Sequence, residues 1–272
     1  MRSVREESEA LLGARLGDAL EKCARGSVAV ISYLSPRERI WAERELCSRR
    51  ESARAGFFGG YAQAERVCLF LLPDYLVELS SRPLSELDGD ALRDLIGEEL
   101  CEAVTSVRVR GSGYRKLSHR DYLGAIMSLG IKRETVGDIF QKEQIAYVFC
   151  IDSVSDWIIS NIESVASVSV RCRLCSEPPE ELAGKTKRLS VNVASERLDA
   201  VIAAVWKLSR TESAKLISAQ KVAVNSLLEE NCARVLKPDD TVSVRGYGKF
   251  IHRSITGLSK KGRLFAEIDK LV

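Results

Sequence analysis

Histidine is almost absent from this chain, with two residues, His119 and His252, among 272. Histidine is the usual general acid or base of enzymes and the commonest metal ligand. Histidine-based catalysis therefore has few candidates here. His119 has a simpler explanation, because it directly follows a helix-capping serine, where a surface or structural residue is expected.

Long apolar runs are missing as well. The longest, around Leu69–Leu72 and Tyr147–Ile151, have the length of a strand, far below the roughly 18 residues that a membrane-spanning helix needs. The first residues, MRSVREESEALLG, carry acids where a secretory signal needs a basic and then an apolar stretch. We therefore expect a cytoplasmic protein without membrane insertion.

The motifs of common enzymes are also missing. Gly111-Ser-Gly113 lacks the third glycine of a dinucleotide-binding fingerprint, because Lys116 takes its place. His119-Arg-Asp121 resembles a kinase catalytic loop, but Ile126 stands where the metal-binding asparagine belongs. No GKS, GKT, HExxH or GxSxG sequence occurs. The sequence predicts a protein that is not an enzyme, with no catalytic residue, metal site or cofactor.

Cysteine is comparatively frequent, with eight residues spread through apolar segments of a long chain. Small buried thiols in a reducing compartment explain that distribution better than a disulfide framework. Only Cys172 and Cys175 have the spacing of a metal or redox pair. A zinc site needs two more ligands, and no second pair of this spacing exists. A metal or redox role is therefore not favoured.

The net charge of +3 conceals an uneven distribution of charge. Residues 185–272 contain 17 Lys and Arg against 9 Asp and Glu, whereas residues 1–184 contain 24 against 29. A basic C-terminal third on an otherwise acidic chain indicates a polyanionic partner bound through one end. Charge alone leaves open whether that partner is RNA, DNA or lipid.

Hydrophobic periodicity and turn residues divide the chain into three predicted parts. Residues 1–66 form an N-terminal helical region. Residues 67–175 alternate strands and helices, including a helix over 82–102, which indicates a central α/β sandwich-like domain. After a linker with paired prolines at 176–181, residues 183–272 form a third domain. The predicted fold class is α+β.

The central domain carries a basic segment around a well-marked helix. Ser118 and Asp121 form a capping box, Gly130 ends the helix, and residues 105–142 contain 8 basic against 3 acidic residues. We interpret this segment as a secondary RNA contact. Its predicted contact residues are Arg115, Lys116, His119, Arg120, Lys132 and Arg133.

The C-terminal third begins with two predicted helices and a short strand, RLDAVIAAVWKLSRTESAKLISAQKVAVN. Arg197 starts the first helix, and a capping box of Ser209 with Glu212 puts Arg210 in the first turn of the second. Positive side chains, hydroxyls and helix N-termini on one surface suit phosphate groups. The remaining candidate RNA contacts are Ser213, Lys215, Lys221, Arg245, Tyr247, Lys249, Lys260, Lys261 and Arg263.

The pattern RLD…LSR…KVAVN…KPDD over residues 197–240 resembles the S-four-type RNA-binding domain. That domain is an αL-like fold of two helices on a small sheet, found in many ribosome-associated proteins. The resemblance implies an RNA-facing surface built from Arg197, Ser209, Arg210, Lys215, Lys221 and Asn225. Gln220 and Ser226 depart from the family, which usually has glycine at these two turns, where a positive φ is favoured.

Longer strings narrow the resemblance. FFGGYAQAER (57–66), KLSHRDYLGAIMSLGIKRETVGDI (116–139) and RGYGKF (245–250) are similar to the YlmH family of bacterial proteins. This resemblance implies a non-catalytic factor that binds the large ribosomal subunit and its tRNA, in rescue or quality control of stalled nascent chains. Its partners would be structured RNA, namely rRNA and tRNA, and we expect a monomer.

Two other functions stay open at the level of the residues. One is an RNA-modifying enzyme, because this binding domain is often attached to pseudouridine synthases and rRNA methyltransferases. It would need a catalytic domain within residues 1–182. The other is a DNA- or membrane-associated division protein. Competition of structured RNA against duplex DNA and anionic vesicles would distinguish these.

Overall fold

The computed structural model describes residues 4–61, 63–80, 82–113, 115–175, 186–225, 227–258 and 262–271. The chain divides into two compact units, Met1–Ala183 and Gly184–Val272. The helices of the first unit are α1 (Val4–Ala24), α2 (Pro36–Ser48), α3 (Asp74–Leu79), α4 (Gly89–Ala103), α5 (His119–Ser128) and α6 (Asp152–Asn161). Its strands are β1 (Ala29–Leu34), β2 (Ala55–Phe58), β3 (Val67–Leu71), β4 (Thr105–Gly111), β5 (Val136–Lys142), β6 (Ile145–Cys150), β7 (Ser164–Val165) and β8 (Val168–Leu174).

The first sheet of this unit has the strand order β1-β3-β2, and both pairings are antiparallel. β3 is buried along its length because alternate residues enter two different cores. Leu69 and Leu71 pack with α1 and α2, while Cys68 and Phe70 pack with α4. Residues 1–66 are therefore not purely helical, since they contribute two strands. Both strands are short apolar runs, which periodicity does not separate from buried helix.

The second sheet has the order β5-β6-β4-β8-β7, again with antiparallel neighbours. Its chain order, β-α-β-β-α-β, is the split β-α-β arrangement. α5 and α6 cover one face of this sheet, with Tyr122, Ile126 and Ile158 as their main core residues. The mixed α/β character predicted for the central region is confirmed.

Helix α4 is shorter than the predicted helix over 82–102. It begins at Gly89, because the Asp88 side chain accepts a hydrogen bond from the Ala91 amide at 2.9 Å and caps the helix there. Leu84–Glu86 is a single 3-10 turn instead. The leucine spacing continued through this turn and concealed the true start of the helix.

Two of the strings that carry the family resemblance contact each other in the first unit. Asp138 accepts hydrogen bonds from the Tyr61 hydroxyl at 2.8 Å and from the Glu65 amide at 2.6 Å. The Arg66 guanidinium donates to the carbonyls of Val136 and Tyr33. Part of the resemblance between residues 57 and 139 therefore lies in residues that join the two sheets.

Gly60 shows why the glycine-rich turn before β3 is needed. Its φ is +104°, in the left-handed region, and an added Cβ would lie 2.2 Å from the Phe149 ring. Both the conformation and the contact exclude a side chain there. The close approach lets Tyr61 pack against Phe149, with ring centroids 5.4 Å apart.

The second unit contains α7 (Leu198–Trp206) and α8 (Arg210–Ser218). Its strands are β9 (Thr186–Val193), β10 (Val222–Val224), β11 (Leu227–Leu228), β12 (Thr241–Val244), β13 (Gly248–Leu258) and β14 (Leu264–Leu271). They form one antiparallel sheet with the order β11-β10-β12-β13-β14-β9. Both helices pack on one face of it through Val201, Ile202, Val205 and Ile217.

The capping boxes predicted at Ser118 and Ser209 are confirmed, and each is reciprocal: the serine hydroxyl caps the third helical amide while the acid accepts from the serine amide. The predicted linker at 176–181 lies outside the described residues. Among the helices that the structure describes, none combines the length and apolar character that a membrane crossing requires.

Candidate nucleic-acid interface

The starts of α7 and α8 meet at one buried carboxylate, that of Asp199. The Arg197 guanidinium donates to both Asp199 oxygens, at 3.2 and 3.4 Å. Arg210 donates to Oδ2 of the same carboxylate through Nε, at 3.2 Å, and through Nη2. A guanidinium has five N–H donors, so each arginine keeps donors that Asp199 does not use.

Exposure differs sharply across this cluster. The Asp199 side chain is 8% exposed, whereas those of Arg197 and Arg210 are 42% and 51% exposed. Burial by itself raises the pKa of the Asp199 carboxyl, but the hydrogen bonds from Arg210 and Arg197 outweigh it and the pKa is lowered. Asp199 thus stays ionised and fixes two arginines whose outer edges face solvent. We call Arg197, Asp199 and Arg210 the clamped arginine pair.

Two predicted contacts beside this pair have structural roles. Ser213 is fully buried, and its hydroxyl donates to the Ser209 carbonyl at 3.2 Å. Its prediction as an RNA contact is therefore corrected, because it has no accessible surface. The Ser209 hydroxyl accepts from the Glu212 amide at 3.1 Å and donates to its carboxylate at 2.8 Å. It is exposed, but both of these bonds belong to the helix cap.

Asn225 also has an internal role. Its amide group donates to Asp240 at 2.7 Å and its oxygen accepts from the Thr241 amide at 2.9 Å. Both Asn225 and Gln220 have a positive φ, of 49° and 55°, so the glycine-favouring turn predicted at Gln220 is present without glycine. Asparagine adopts this conformation more readily than most residues. Ser226 lies outside the described residues.

Lys221 and Arg245 are neighbours at one end of the sheet. The Arg245 amide donates to the Lys221 carbonyl at 2.8 Å, and both side chains are exposed. Tyr247 follows in the same turn, where its ring contacts Trp206 edge-on at 5.9 Å. Lys249 is different: because Phe250 faces the helix-covered core, Lys249 points to the opposite face of the sheet.

Arg263 lies at the other end of the β13–β14 hairpin from Arg245. Gly248 pairs with Val244 at one end of β13, and Leu258 pairs with Leu264 at the other. The eleven residues of β13 separate those ends by about 30 Å at the usual rise of a strand. The predicted basic residues after β12 are thus not one cluster. Lys260 and Lys261 lie outside the described residues. Lys215 is exposed on α8.

The secondary set in the first unit is divided as well. Arg115, Lys116, His119 and Arg120 are exposed around the start of α5, and Lys132 lies beyond its other end. α5 has ten residues, which places about 15 Å between the two groups. Arg133 is half-buried, and its guanidinium donates to the carbonyls of Val136 and Gly137. Burial lowers its pKa, with a further lowering from Arg66. It is a structural residue of the β5 edge.

The sequence missed a second arginine pair in the second unit. Asp269, on β14, accepts from Arg188 at 2.8 Å and from Arg253 at 2.7 Å. These bonds lower the pKa of Asp269 to about 2. No local motif reveals this group, because its members lie on three different strands.

Four arginines of the second sheet of the first unit were missed too. They alternate with apolar residues as Arg108-Val-Arg110 in β4 and Arg171-Cys-Arg173 in β8. That alternation was the available signal, because it places both arginines of each strand on the same face. The predicted contacts of this region were confined to the segment around α5.

The cysteines form neither a disulfide nor a metal site in the part of the chain that the structure describes. None of the eight forms a disulfide, and no cluster of metal-binding side chains occurs within the described ranges. Burial raises the pKa of the Cys172 thiol to about 11. A thiol with that pKa is a weak nucleophile and a poor metal ligand at neutral pH.

Residues 107–177, which lie in the first unit, match a family model described as the putative RNA-binding domain in YlmH. The chain is 25% identical over 233 residues to the ribosome-associated protein quality control protein P2 of Bacillus subtilis (strain 168), a match that covers 85% of this chain and 82% of that protein. A solved structure, the cell division protein YlmH from Streptococcus pneumoniae, has 14% identity and a TM-score of 0.43, over 64% of this chain and 93% of its own. The first two matches confirm the predicted resemblance to the YlmH family.

Proposed function

We propose that this protein is a non-catalytic, ribosome-associated RNA-binding factor whose second unit binds structured RNA. The observation that carries the proposal is the clamped arginine pair. Two guanidinium groups at two helix starts are held by one buried carboxylate, so their exposed donors are fixed before a ligand arrives. Fixed donors lose less conformational entropy on binding than mobile ones, and arginine matches the geometry of phosphate.

The rest of the interface follows from the second unit alone. Two nine-residue helices on an antiparallel sheet, each starting beside an arginine, support an S-four-type RNA-binding domain. Lys215, Lys221 and Arg245 add exposed positive charge. Arginine and lysine contacts to phosphates position a protein on RNA without reading its sequence.

The named relatives support the setting of this activity. The Bacillus subtilis relative is called a ribosome-associated protein quality control protein, and the family model that matches residues 107–177 of the first unit describes an RNA-binding domain. We infer that this chain likewise acts on ribosomes in the cytoplasm, as a monomer. Its proposed partners are rRNA and tRNA of the large subunit, and its proposed process is quality control of stalled nascent chains.

Co-sedimentation with purified large ribosomal subunits tests this function. The variant Lys221→Glu/Arg245→Glu reverses two adjacent exposed charges and leaves the clamped arginine pair intact. We expect it to lose co-sedimentation at physiological salt. The matched control, Lys22→Glu/Arg44→Glu, changes the net charge equally at exposed residues of α1 and α2 and should sediment like the unaltered protein.

If both variants sediment with large subunits as well as the unaltered protein does, the assigned RNA surface is wrong. Failure of the unaltered protein to sediment with large subunits would contradict ribosome association itself. The non-catalytic part has its own test, the mass of RNA fragments after incubation with the purified protein. A mass change that requires the protein would show an RNA-modifying enzyme instead.

A further inference from the structure

The second sheet of the first unit has a face that the helices leave open, and arginines dominate one half of it. Val107 and Val109 of β4 enter the core under α5 and α6. Because side chains alternate along a strand, Arg108 and Arg110 point to the other face. The same alternation in β8 puts Arg171 and Arg173 on that face, on either side of the core residue Cys172.

The four arginines form two rows across the sheet. Arg108 pairs directly with Arg173, and Arg110 pairs directly with Arg171. Neighbouring strands lie about 4.8 Å apart and alternate residues of a strand about 7 Å apart. Four guanidinium groups are thus gathered in a patch of that size. We call them the open-face arginines.

The described surroundings contain no carboxylate that neutralises this charge. The open-face arginines line a groove of about 650 Å³ together with Ser112, Gln144 and Ser169. Of the described residues that line it, none is acidic. No acidic side chain elsewhere in the described ranges forms an ion pair with any of the four. In contrast, Arg197, Arg210, Arg188 and Arg253 all have a carboxylate partner.

Such an arrangement costs free energy in the absence of a ligand. Like charges directly opposite each other on antiparallel strands destabilise a sheet, and here this happens in two adjacent rows. A departure from ordinary sheet design of this kind is expected at a functional site. A polyanion that lies across the rows would remove the repulsion.

Beside the arginines lies an aromatic side chain. Tyr147 of β6 pairs directly with Arg108 and therefore shares the open face. Its neighbour Phe149 extends that face under the first sheet, where it packs with Tyr33 and Phe70. The covered half thus ends near Tyr147 and the charged half begins there. Aromatic rings next to arginines on an open sheet are suited to stack bases while the backbone phosphates are neutralised.

We propose that the open-face arginines, with Tyr147, form a second RNA site that binds single-stranded RNA. The proposal rests on the proposed function and on the family model of an RNA-binding domain, whose range of residues 107–177 contains all four arginines. It specifies the binding face and the ligand class. An open sheet face offers no element that protrudes into a duplex groove, whereas it accommodates a splayed strand. The predicted residues around α5 do not line this groove and are not part of the site.

Fluorescence anisotropy with the full-length protein tests the site. The probes are a labelled twelve-nucleotide oligouridylate, which is single-stranded, and a labelled RNA hairpin. The variant Arg108→Gln/Arg110→Gln/Arg171→Gln/Arg173→Gln should bind oligouridylate at least about ten-fold more weakly. Its salt dependence should be smaller by about 3 in slope if all four arginines contact phosphates. Hairpin binding through the second unit should be retained.

The matched control is Lys22→Gln/Arg25→Gln/Arg37→Gln/Arg44→Gln, which removes four exposed charges from α1, α2 and the turn after α1. It should bind oligouridylate like the unaltered protein. Tyr147→Leu keeps an apolar side chain and should weaken binding about five-fold or more, with an unchanged salt slope. Tyr147→Phe should bind normally. Thermal melts identify any variant that fails to fold.

The outcomes separate the two proposals. If the unaltered protein binds the hairpin and large subunits, but the four-glutamine variant still binds oligouridylate normally, the open-face site is wrong and the proposed function stands. If the unaltered protein binds neither RNA, the proposed function is wrong too. A variant that loses binding to phosphatidylserine vesicles or to duplex RNA, but not to oligouridylate, would assign the patch to a different ligand and overturn the proposal.

Discussion

The two units hold their surface arginines in opposite ways. In the second unit, Asp199 and Asp269 each hold two arginines through charged hydrogen bonds. In the first unit, the open-face arginines lie opposite one another with no carboxylate among the described residues that line their groove. Each carboxylate fixes two arginines, but its negative charge cancels the positive charge of one of them. Within the described residues, the open face keeps its full charge and has no carboxylate that would fix its side chains.

This difference suits two kinds of RNA. A structured RNA presents phosphates at fixed positions, so fixed donors bind it with little loss of entropy. A single strand is flexible and adjusts to the protein, so the density of charge matters more than its exact placement. The comparison therefore predicts that RNA binding by the clamped arginine pair weakens when its carboxylate is removed. RNA binding by the open-face arginines should weaken when their charge is removed.

Removal of the Asp199 carboxylate should have the largest effect. Asp199→Ala leaves Arg197 and Arg210 without their shared partner and removes an acid from the first turn of α7. We expect the free energy of unfolding to fall by about 2–3 kcal/mol. We also expect weaker hairpin binding, although the net charge becomes more positive. Urea denaturation and anisotropy measure the two effects.

The control for this change is Asp94→Ala, an exposed acid on α4, which should alter stability by no more than about 0.5 kcal/mol. If Asp199→Ala bound the hairpin more tightly, charge would matter more than placement in the second unit as well. The contrast between the two units would then disappear.

Loss of the Asp269 carboxylate should lower the free energy of unfolding by a smaller amount, and that amount should depend on pH. The Asp269 pKa of about 2 is below the ordinary value of about 3.9. Its contribution to stability is therefore fully present above about pH 4 and is lost as the pH falls from there towards 2. Asp269→Asn should lower the free energy of unfolding by about 1–2 kcal/mol at pH 6.

At pH 3 the difference between Asp269→Asn and the unaltered protein should be clearly smaller. Urea denaturation at the two pH values gives this comparison directly. Other carboxylates titrate in both proteins and cancel in the difference. If the difference in the free energy of unfolding is the same at pH 3 and pH 6, then packing, and not the ion pairs with Arg188 and Arg253, holds Asp269 in place.

Local signals in the sequence were sufficient for many elements. The serine and acid spacings at Ser118 and Ser209 located two helix starts because a capping box is made within four residues. The charge of residues 185–272 and the sequence from Arg197 to Asn225 led to the second unit. The family resemblance added a ribosomal setting that no residue pattern contains.

Long-range pairings were not accessible in this way. Ser213 was predicted to face RNA because it follows Arg210 by one helical turn, yet α8 packs that side into the core. Asp199 was not among the predicted contacts, although its carboxylate joins Arg197 and Arg210. The open-face arginines needed the register of β4 with β8, which joins residues more than 60 positions apart. Such contacts arise when sheets form, and periodicity within one strand does not contain them.

Replacement of a single arginine by lysine should have the smallest effect on stability, and it compares the carboxylate-bound arginines directly with the open-face arginines. Lysine keeps the charge of arginine but loses its planar fork of donors. Arg210→Lys should therefore lower the free energy of unfolding by about 0.5–1 kcal/mol, since its bonds to Asp199 are partly exposed. Arg110→Lys has no such bonds to lose and should leave stability unchanged, with only a modest loss of oligouridylate affinity. Denaturation curves of the two variants are measured under the same conditions. Equal destabilisation of both variants would contradict the comparison. The open-face arginines would then have a structural partner of their own.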